Sequence, residues 1–279
     1  MLRKMMRNKF DIPEYKKREL SDLAEFIADE YFNDSFVCPY KLAQIYGITI
    51  SFEDYKSAFD GLLEHCSGKF HIYLNSNQVK HKYEPRVRFT LAHELGHYII
   101  DDHRIPLKMG LAPSHPSFTN FSSDNEVELE ADFFASSLLI PSSRLNKDIY
   151  KRKFSFNLIE ELAAKYQTSI TATLLKFGSI GNHPIMIICT VNARIKWFKY
   201  SEDFPFKYID ALPGFKVPEN TGAGQYFYQD RFKYEDNYEI IDAEDYFKLY
   251  NDYDYGRKFY EHCIYSDKNK FVLSIIWED

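Results

Sequence analysis

Residues 88–104 read RFTLAHELGHYIIDDHR, and inside them His93-Glu94-Leu95-Gly96-His97 forms a His-Glu-x-x-His pattern. Val87, Leu91, Leu95, Tyr98 and Ile99 recur at helical spacing between Arg86 and Asp101, which places the pattern on an amphipathic helix. At roughly 100° per residue, positions 93 and 97 stand one turn apart on one face, where two imidazoles can reach the same tetrahedral metal. Glu94 lies beside them. It is out of line for ligation but well placed to take a proton from a water at the metal, which is the chemistry of a zinc hydrolase.

Zinc used in this way needs a third protein ligand and an open position. The text predicts a helix from about Asn125 to Ile140, capped by Ser123 or Asp124 and stopped at Pro141, whose start offers Glu126, Glu128, Glu130 and Asp132. Val127, Ala131, Phe134, Ala135 and Leu138 define its buried face. Glu128 borders that face and has Asp132 one turn later on its own side, whereas Glu126 points away and Glu130 has Phe134 at the corresponding place. This spacing assigns Glu128 as the third metal ligand and Asp132 as the acceptor for the outer N–H of a ligating histidine. The other acids read as solvated charge favouring the helix N-terminus. Nitrogen and oxygen ligation of this kind suits one catalytic Zn2+, and the same ligands accept manganese or iron.

The rest of the chain sets the context. With 279 residues, 45% of them hydrophobic and 27% charged, it can bury a full core as one large domain or two modest ones. A net charge of −6 argues against a protein whose main work is neutralising nucleic-acid phosphates. Cys38, Cys66, Cys189 and Cys263 are far apart with no Cys-x-x-Cys pair, so buried reduced thiols are expected rather than a zinc ribbon or disulfide framework. The N-terminus MLRKMMRNKF is basic, but no apolar stretch follows it. No apolar run approaches the roughly 18 residues of a spanning helix, so a cytoplasmic protein without membrane attachment is expected.

Around the motif the predicted architecture is α+β. An amphipathic helix runs from Leu20 to Phe32 with Leu23, Ala24, Phe26, Ile27 and Tyr31 as its apolar positions and Ser21 or Asp22 as N-cap. A short helix from Pro39 to Tyr46, a strand from Ile48 to Phe52 and a hairpin of Gly61–Cys66 with Lys69–Leu74 follow. Residues 102–122, with Pro106, Pro113 and Pro116, read as a long loop able to cover a cleft. Leu158–Phe177 outlines a helix-turn-helix, but its second helix has Lys176 as its only base, so a packed helical hairpin is favoured over DNA reading. Strands are then expected at Ile185–Val191, Arg194–Tyr200 and Phe271–Trp277. Residues 201–279 hold 17 acidic and 9 basic side chains and 11 of the 22 tyrosines. The expected division is a zincin-like domain over 1–181, with its helical hairpin at 142–180, and a β-rich, acidic module over 182–279. The acids of 230–254 would suit a basic partner.

RFTLAHELGHYIIDDHR followed by ELEADFFASSLLIP (128–141) resembles the ImmA/IrrE family of metallo-endopeptidases, with further likeness at Phe59-Asp60-Gly61, at Tyr73-Leu74-Asn75 and in ARIKWFKYSEDFPF (193–206). The resemblance covers about residues 20–210. It implies His93, His97 and Glu128 as zinc ligands and Glu94 as catalytic base, with Asp132 where many members have Asn. It also implies an intracellular regulatory endopeptidase that cleaves a helix-turn-helix transcriptional repressor, often one encoded beside a mobile element or in a stress response. Competing readings are a module that sequesters a repressor without cutting it, its metal site vestigial or structural, and a metal-sensing DNA-binding regulator resting on residues 158–177. Tyr98, His103, Arg104 and His115 are candidates to stabilise an oxyanion.

Overall fold

A computed structural model describes residues 12–33, 36–77, 79–114, 116–118, 125–180, 183–209, 214–229, 238–266 and 270–278. The chain forms two compact units, the first running to Tyr150 and including Glu161–Thr173, the second comprising Lys151–Glu160 and the chain from Leu174 onward. The helical hairpin, α7 (Phe156–Tyr166) and α8 (Ile170–Ile180), contributes residues to both.

The first unit is α+β, as the sequence predicts. It contains α1 (Glu14–Phe32), α2 (Pro39–Ile45), β1 (Thr49–Glu53), β2 (Gly61–Cys66), β3 (Lys69–Asn75), α3 (Pro85–Ile99), α4 (Asp101–Lys108), α5 (Glu126–Leu139) and α6 (Ser142–Ile149). The three strands lie in the order β1-β3-β2, with β1 parallel and β2 antiparallel to β3. Helix α3 packs against β2 and β3 and against α5, which in turn packs on α1. Covered on several sides, α3 is buried at every position from Thr90 to His97. Arg88 is buried too; its guanidinium donates to the carbonyls of Val37 (2.8 Å) and Gln167 (3.0 Å), tying α3 to two otherwise irregular segments.

The crossing of α3 and α5 is set at Gly96. A Cβ there would stand 3.2 Å from a ring carbon of Phe134 and 3.4 Å from both the Cα and the carbonyl oxygen of Ala131. Glycine facing alanine lets the two backbones approach more closely than larger side chains permit.

The second unit is built on a five-stranded antiparallel sheet in the order β5-β4-β8-β7-β6, from β4 (Ile185–Val191), β5 (Arg194–Tyr200), β6 (Glu239–Asp242), β7 (Lys258–Ser266) and β8 (Phe271–Trp277), with α9 (Gly222–Gln229) and the short α10 (Ala243–Tyr246). Met186 and Ile188 face an aromatic-rich core with Phe204, Phe206, Phe247 and Phe259. Ile185 and Ile187 face Gly178 of α8 on the other side, which is why β4 is apolar from Ile185 to Cys189 instead of alternating.

Several expectations need correction. Helix α1 begins at Glu14, so Ser21 and Asp22 lie inside it; the preceding charged residues are strong helix formers that carry no apolar signal. Phe26 is exposed, and the buried stripe is Leu20, Ala24, Ile27, Ala28 and Phe32. Residues 101–108 are helical, not loop. Pro106 costs α4 one backbone bond, and the helix starts afresh after the extended Ile100. Asn125 caps α5 by accepting from the Val127 N–H at 3.1 Å, and Val127 is exposed rather than buried. Ser123, Asp124 and His115 lie outside the described residues, as do residues 230–237 of the acidic stretch. All four cysteines are free, but only Cys189 is buried and Cys66 is exposed. The strand-rich reading of the C-terminal region overlooked α9, whose two glycines argue against a helix in sequence. Within 238–254, Glu239 accepts from Gln225 (2.7 Å), Asp242 pairs with Lys258, Glu244 accepts from the Gly256 N–H (2.9 Å) and Asp254 pairs with Arg257 (3.8 Å). These acids work inside their own unit, which weakens the reading of a free acidic docking face.

Replacing Gly96 with Val puts branched bulk between two backbones in contact. The expected outcome is a loss of about 1–3 kcal/mol in chemical denaturation, with reduced zinc binding because the two helices are forced apart. An unchanged unfolding midpoint would show that the crossing has slack.

Candidate metal centre

The i, i+4 spacing on α3 brings His93 and His97 to one face, and the same spacing on α5 brings Glu128 and Asp132 to the face opposite. The close crossing at Gly96 joins the two pairs. His93 Nε2 and His97 Nε2 are 3.0 Å apart; Glu128 Oε2 is 3.2 Å from the first and Glu128 Oε1 is 3.3 Å from the second. Among the described residues, His93, His97 and Glu128 are the one group of three or more such side chains whose donor atoms all lie within 4.8 Å of one another. Ligands about 2.0–2.1 Å from a tetrahedral zinc stand roughly 3.3 Å apart, so the observed spacing fits such an ion without rearrangement.

The chemistry of the donor set agrees. Asp132 Oδ1 accepts from His93 Nδ1 at 2.8 Å, which leaves Nε2 with its lone pair directed inward. Two imidazole lone pairs and a carboxylate converging in a buried space need a cation between them. Burial opposes the charged form of His93, but hydrogen bonds to Asp132 and Glu128 outweigh it and push the pKa up to about 10.

Glu94 is the other unsatisfied group. It is 1% exposed, and neither carboxylate oxygen makes a well-formed hydrogen bond among the described residues, the Ser117 hydroxyl being the neutral polar group beside it. Burial pushes its pKa up, opposed by the two neighbouring histidines. A buried carboxylate left bare is costly, and such a group is retained where a water or substrate will meet it. Its position is fixed from the side by Gly61 at the start of β2: a Cβ there would meet Glu94 Oε1 and Thr90 Cγ2, both at 2.5 Å. Gly61 is held in turn by the loop before it. Asn75 donates to the carbonyls of Lys56 and Phe59, the Asn75 N–H donates to Asp60 O at 3.0 Å, and Arg86 grips the Asp60 carboxylate at 2.9 Å through both oxygens.

The centre opens into a cleft of about 300 Å³ lined by Glu94, His97 and His103 on the polar side and by Leu63, Leu107 and Val127 on the apolar side. A cavity of about 340 Å³ in the second unit, between Leu175, Ile185, Ile187 and Phe198, brings no such group of polar atoms together.

Of the remaining sequence candidates, His103 lines the cleft and touches His97, whereas Arg104 and Tyr98 are engaged with other residues. Arg104 pairs with Asp101 and lies over the Tyr98 ring, which packs against Tyr46 and Phe70. Both ring nitrogens of His103 are occupied, one 3.2 Å from His97 Nδ1 and the other 3.1 Å from Glu130 Oε2. Burial, with His97 and Lys16 nearby, holds the His103 pKa down to about 3. Glu130 is buried rather than solvated, contrary to its reading as a helix-terminus charge. Glu126 is exposed, as spacing predicts.

Residues 43–177 match the family described as IrrE N-terminal-like domain. This segment belongs to that family. Every residue of the centre lies within the IrrE N-terminal-like domain, and the family is one of zinc metallopeptidases. No curated protein matches the chain. A solved structure described as a Mycobacterium tuberculosis transcriptional regulator aligns over 93% of this chain and 76% of its own, with a TM-score of 0.55 and 13% identity. At that identity the likeness shows a shared fold.

The IrrE N-terminal-like domain should bind one zinc per chain. Zinc at about 100-fold over its dissociation constant is expected to stabilise the chain by about 2.7 kcal/mol, and Glu128→Ala should abolish most of that increment. Equal zinc-dependent shifts in melting temperature for wild type and variant would remove Glu128 from the ligand set.

Proposed function

We propose that the chain is a zinc-dependent cytoplasmic endopeptidase that cleaves a helix-turn-helix transcriptional repressor. The observation that carries the peptidase reading is the convergence of His93, His97 and Glu128 beside a buried carboxylate, that of Glu94, which with His97 lines a cleft. A site built only to hold a structural zinc would complete its coordination with a fourth protein side chain. The choice of a repressor as substrate rests on the family resemblance and its regulatory character.

Zinc held by these side chains supplies Lewis acidity, polarising a carbonyl oxygen and bringing the pKa of a bound water toward neutrality. Glu94 is the base: it takes the proton from the attacking water and delivers it to the amine nitrogen that leaves. Burial keeps that carboxylate a stronger proton acceptor than a solvated one, which suits it to both transfers. Gly61 keeps the space beside it clear. Asp132 orients His93 through its Nδ1–H. Leu63, Leu107 and Val127 offer an apolar wall, favouring an apolar substrate side chain next to the bond that breaks.

Glu94→Gln keeps shape and removes the base. The variant is expected to bind zinc as wild type does and to lose at least about 100-fold in cleavage rate, read by zinc stoichiometry and by incubation with helix-turn-helix repressors from the same organism. Unchanged cleavage would eliminate Glu94 as base. A wild-type chain that binds zinc and the repressor but leaves the repressor whole would instead support sequestration without hydrolysis. Gly61→Ala should behave like Glu94→Gln, because a methyl group must displace the carboxylate.

A further inference from the structure

Two histidines face the cation site, yet their outer nitrogens are treated differently. His93 Nδ1 meets the carboxylate of Asp132 directly. His97 Nδ1 meets another imidazole, that of His103, and only then a carboxylate, Glu130. The side chains of His103 and Glu130 are just 5% and 10% exposed, and Lys16 of α1 closes the row, with Nζ 3.9 Å from Glu130 Oε2 and 3.2 Å from Asp102 Oδ2.

The protons in this row can be placed. A contact between two ring nitrogens needs one hydrogen, so either His97 or His103 donates. For His97 Nε2 to turn a lone pair toward the cation, its hydrogen must sit on Nδ1. His103 Nδ1 then accepts, and the hydrogen of the neutral His103 ring sits on Nε2, aimed at Glu130 Oε2. Every donor meets an acceptor in that assignment. The reverse assignment would leave His97 with its hydrogen on Nε2, pointing at the Nε2 of His93.

We propose that His103 and Glu130 are positioning residues for His97, holding its imidazole in the Nδ1–H tautomer so that Nε2 faces the cation as a lone pair, as Asp132 does for His93. The inference rests on the metal reading above. It assigns to Glu130 a buried role that spacing along α5 does not disclose, and to His103 a role other than contact with substrate.

The test uses the full chain and reads metal affinity rather than hydrolysis. His103→Phe keeps an aromatic ring and removes the acceptor; its zinc affinity, from chelator competition, is expected to fall about 10–100-fold. His103→Asn places an amide oxygen where Nδ1 stood and is expected to recover affinity to within about threefold of wild type. A wild-type chain that binds no zinc would overturn the metal reading and this inference with it. Equal affinity for wild type and the Phe variant would overturn this inference alone. Should the Phe variant fail to fold, nitrogen-15 spectra of the zinc-loaded wild type decide: the expected signature is a protonated His97 Nδ1 coupled through its hydrogen bond to His103 Nδ1, and a His97 bound to metal through Nδ1 overturns the assignment.

Discussion

The first unit depends on how closely two helix backbones can approach. Where α3 crosses α5, Gly96 stands against Ala131, and the neighbours of those two small residues in sequence are His97 and Asp132. Each helix presents a pair of polar residues one turn apart, and the crossing lays one pair over the other. With larger residues at the crossing, the pairs would stand too far apart to share an ion. The geometry of the candidate centre is thus a packing consequence: Gly96 and Ala131, which touch none of its polar atoms, set the distance between its two halves.

Such a centre is unfavourable by itself. Two imidazole nitrogens face each other at 3.0 Å, a carboxylate bridges them, and a second carboxylate is buried without a well-formed hydrogen bond among the described residues. Each arrangement costs free energy in a low-dielectric interior. The surrounding apolar contacts of Leu91, Leu95, Phe134 and Leu138, all fully buried, supply the rigidity that keeps the groups in place. Outer partners complete the arrangement: Asp132 for His93, and the His103–Glu130 row for His97.

Much of this was legible in the sequence because local periodicity carries it. The His-Glu-x-x-His helix, the choice of Glu128 over Glu126 and the pairing of Asp132 with Glu128 all follow from counting by four along a helix, and the α+β class follows from the alternation of elements before Pro85. What escaped depends on contacts between distant segments. Lys16 reaches Asp102 across 86 positions, and no pattern along α1 marks it as part of the site's surroundings. Glu130 looked solvated because its partner comes from α4, and α4 itself was hidden by Pro106. Gly61 was visible as part of a turn, but its reason, the Glu94 carboxylate 2.5 Å from where a Cβ would be, exists only once β2 lies beside α3.

The central claim is that two imidazoles and one carboxylate, brought together by that crossing, hold a catalytic cation with a position left open. Anomalous diffraction at the zinc edge from crystals grown with one equivalent of zinc tests it most directly. The account predicts a single strong peak per chain within bonding distance of His93 Nε2, His97 Nε2 and a Glu128 oxygen, with a solvent atom as the remaining neighbour. A peak at another site, or a fourth protein side chain closing the coordination at this one, would contradict it.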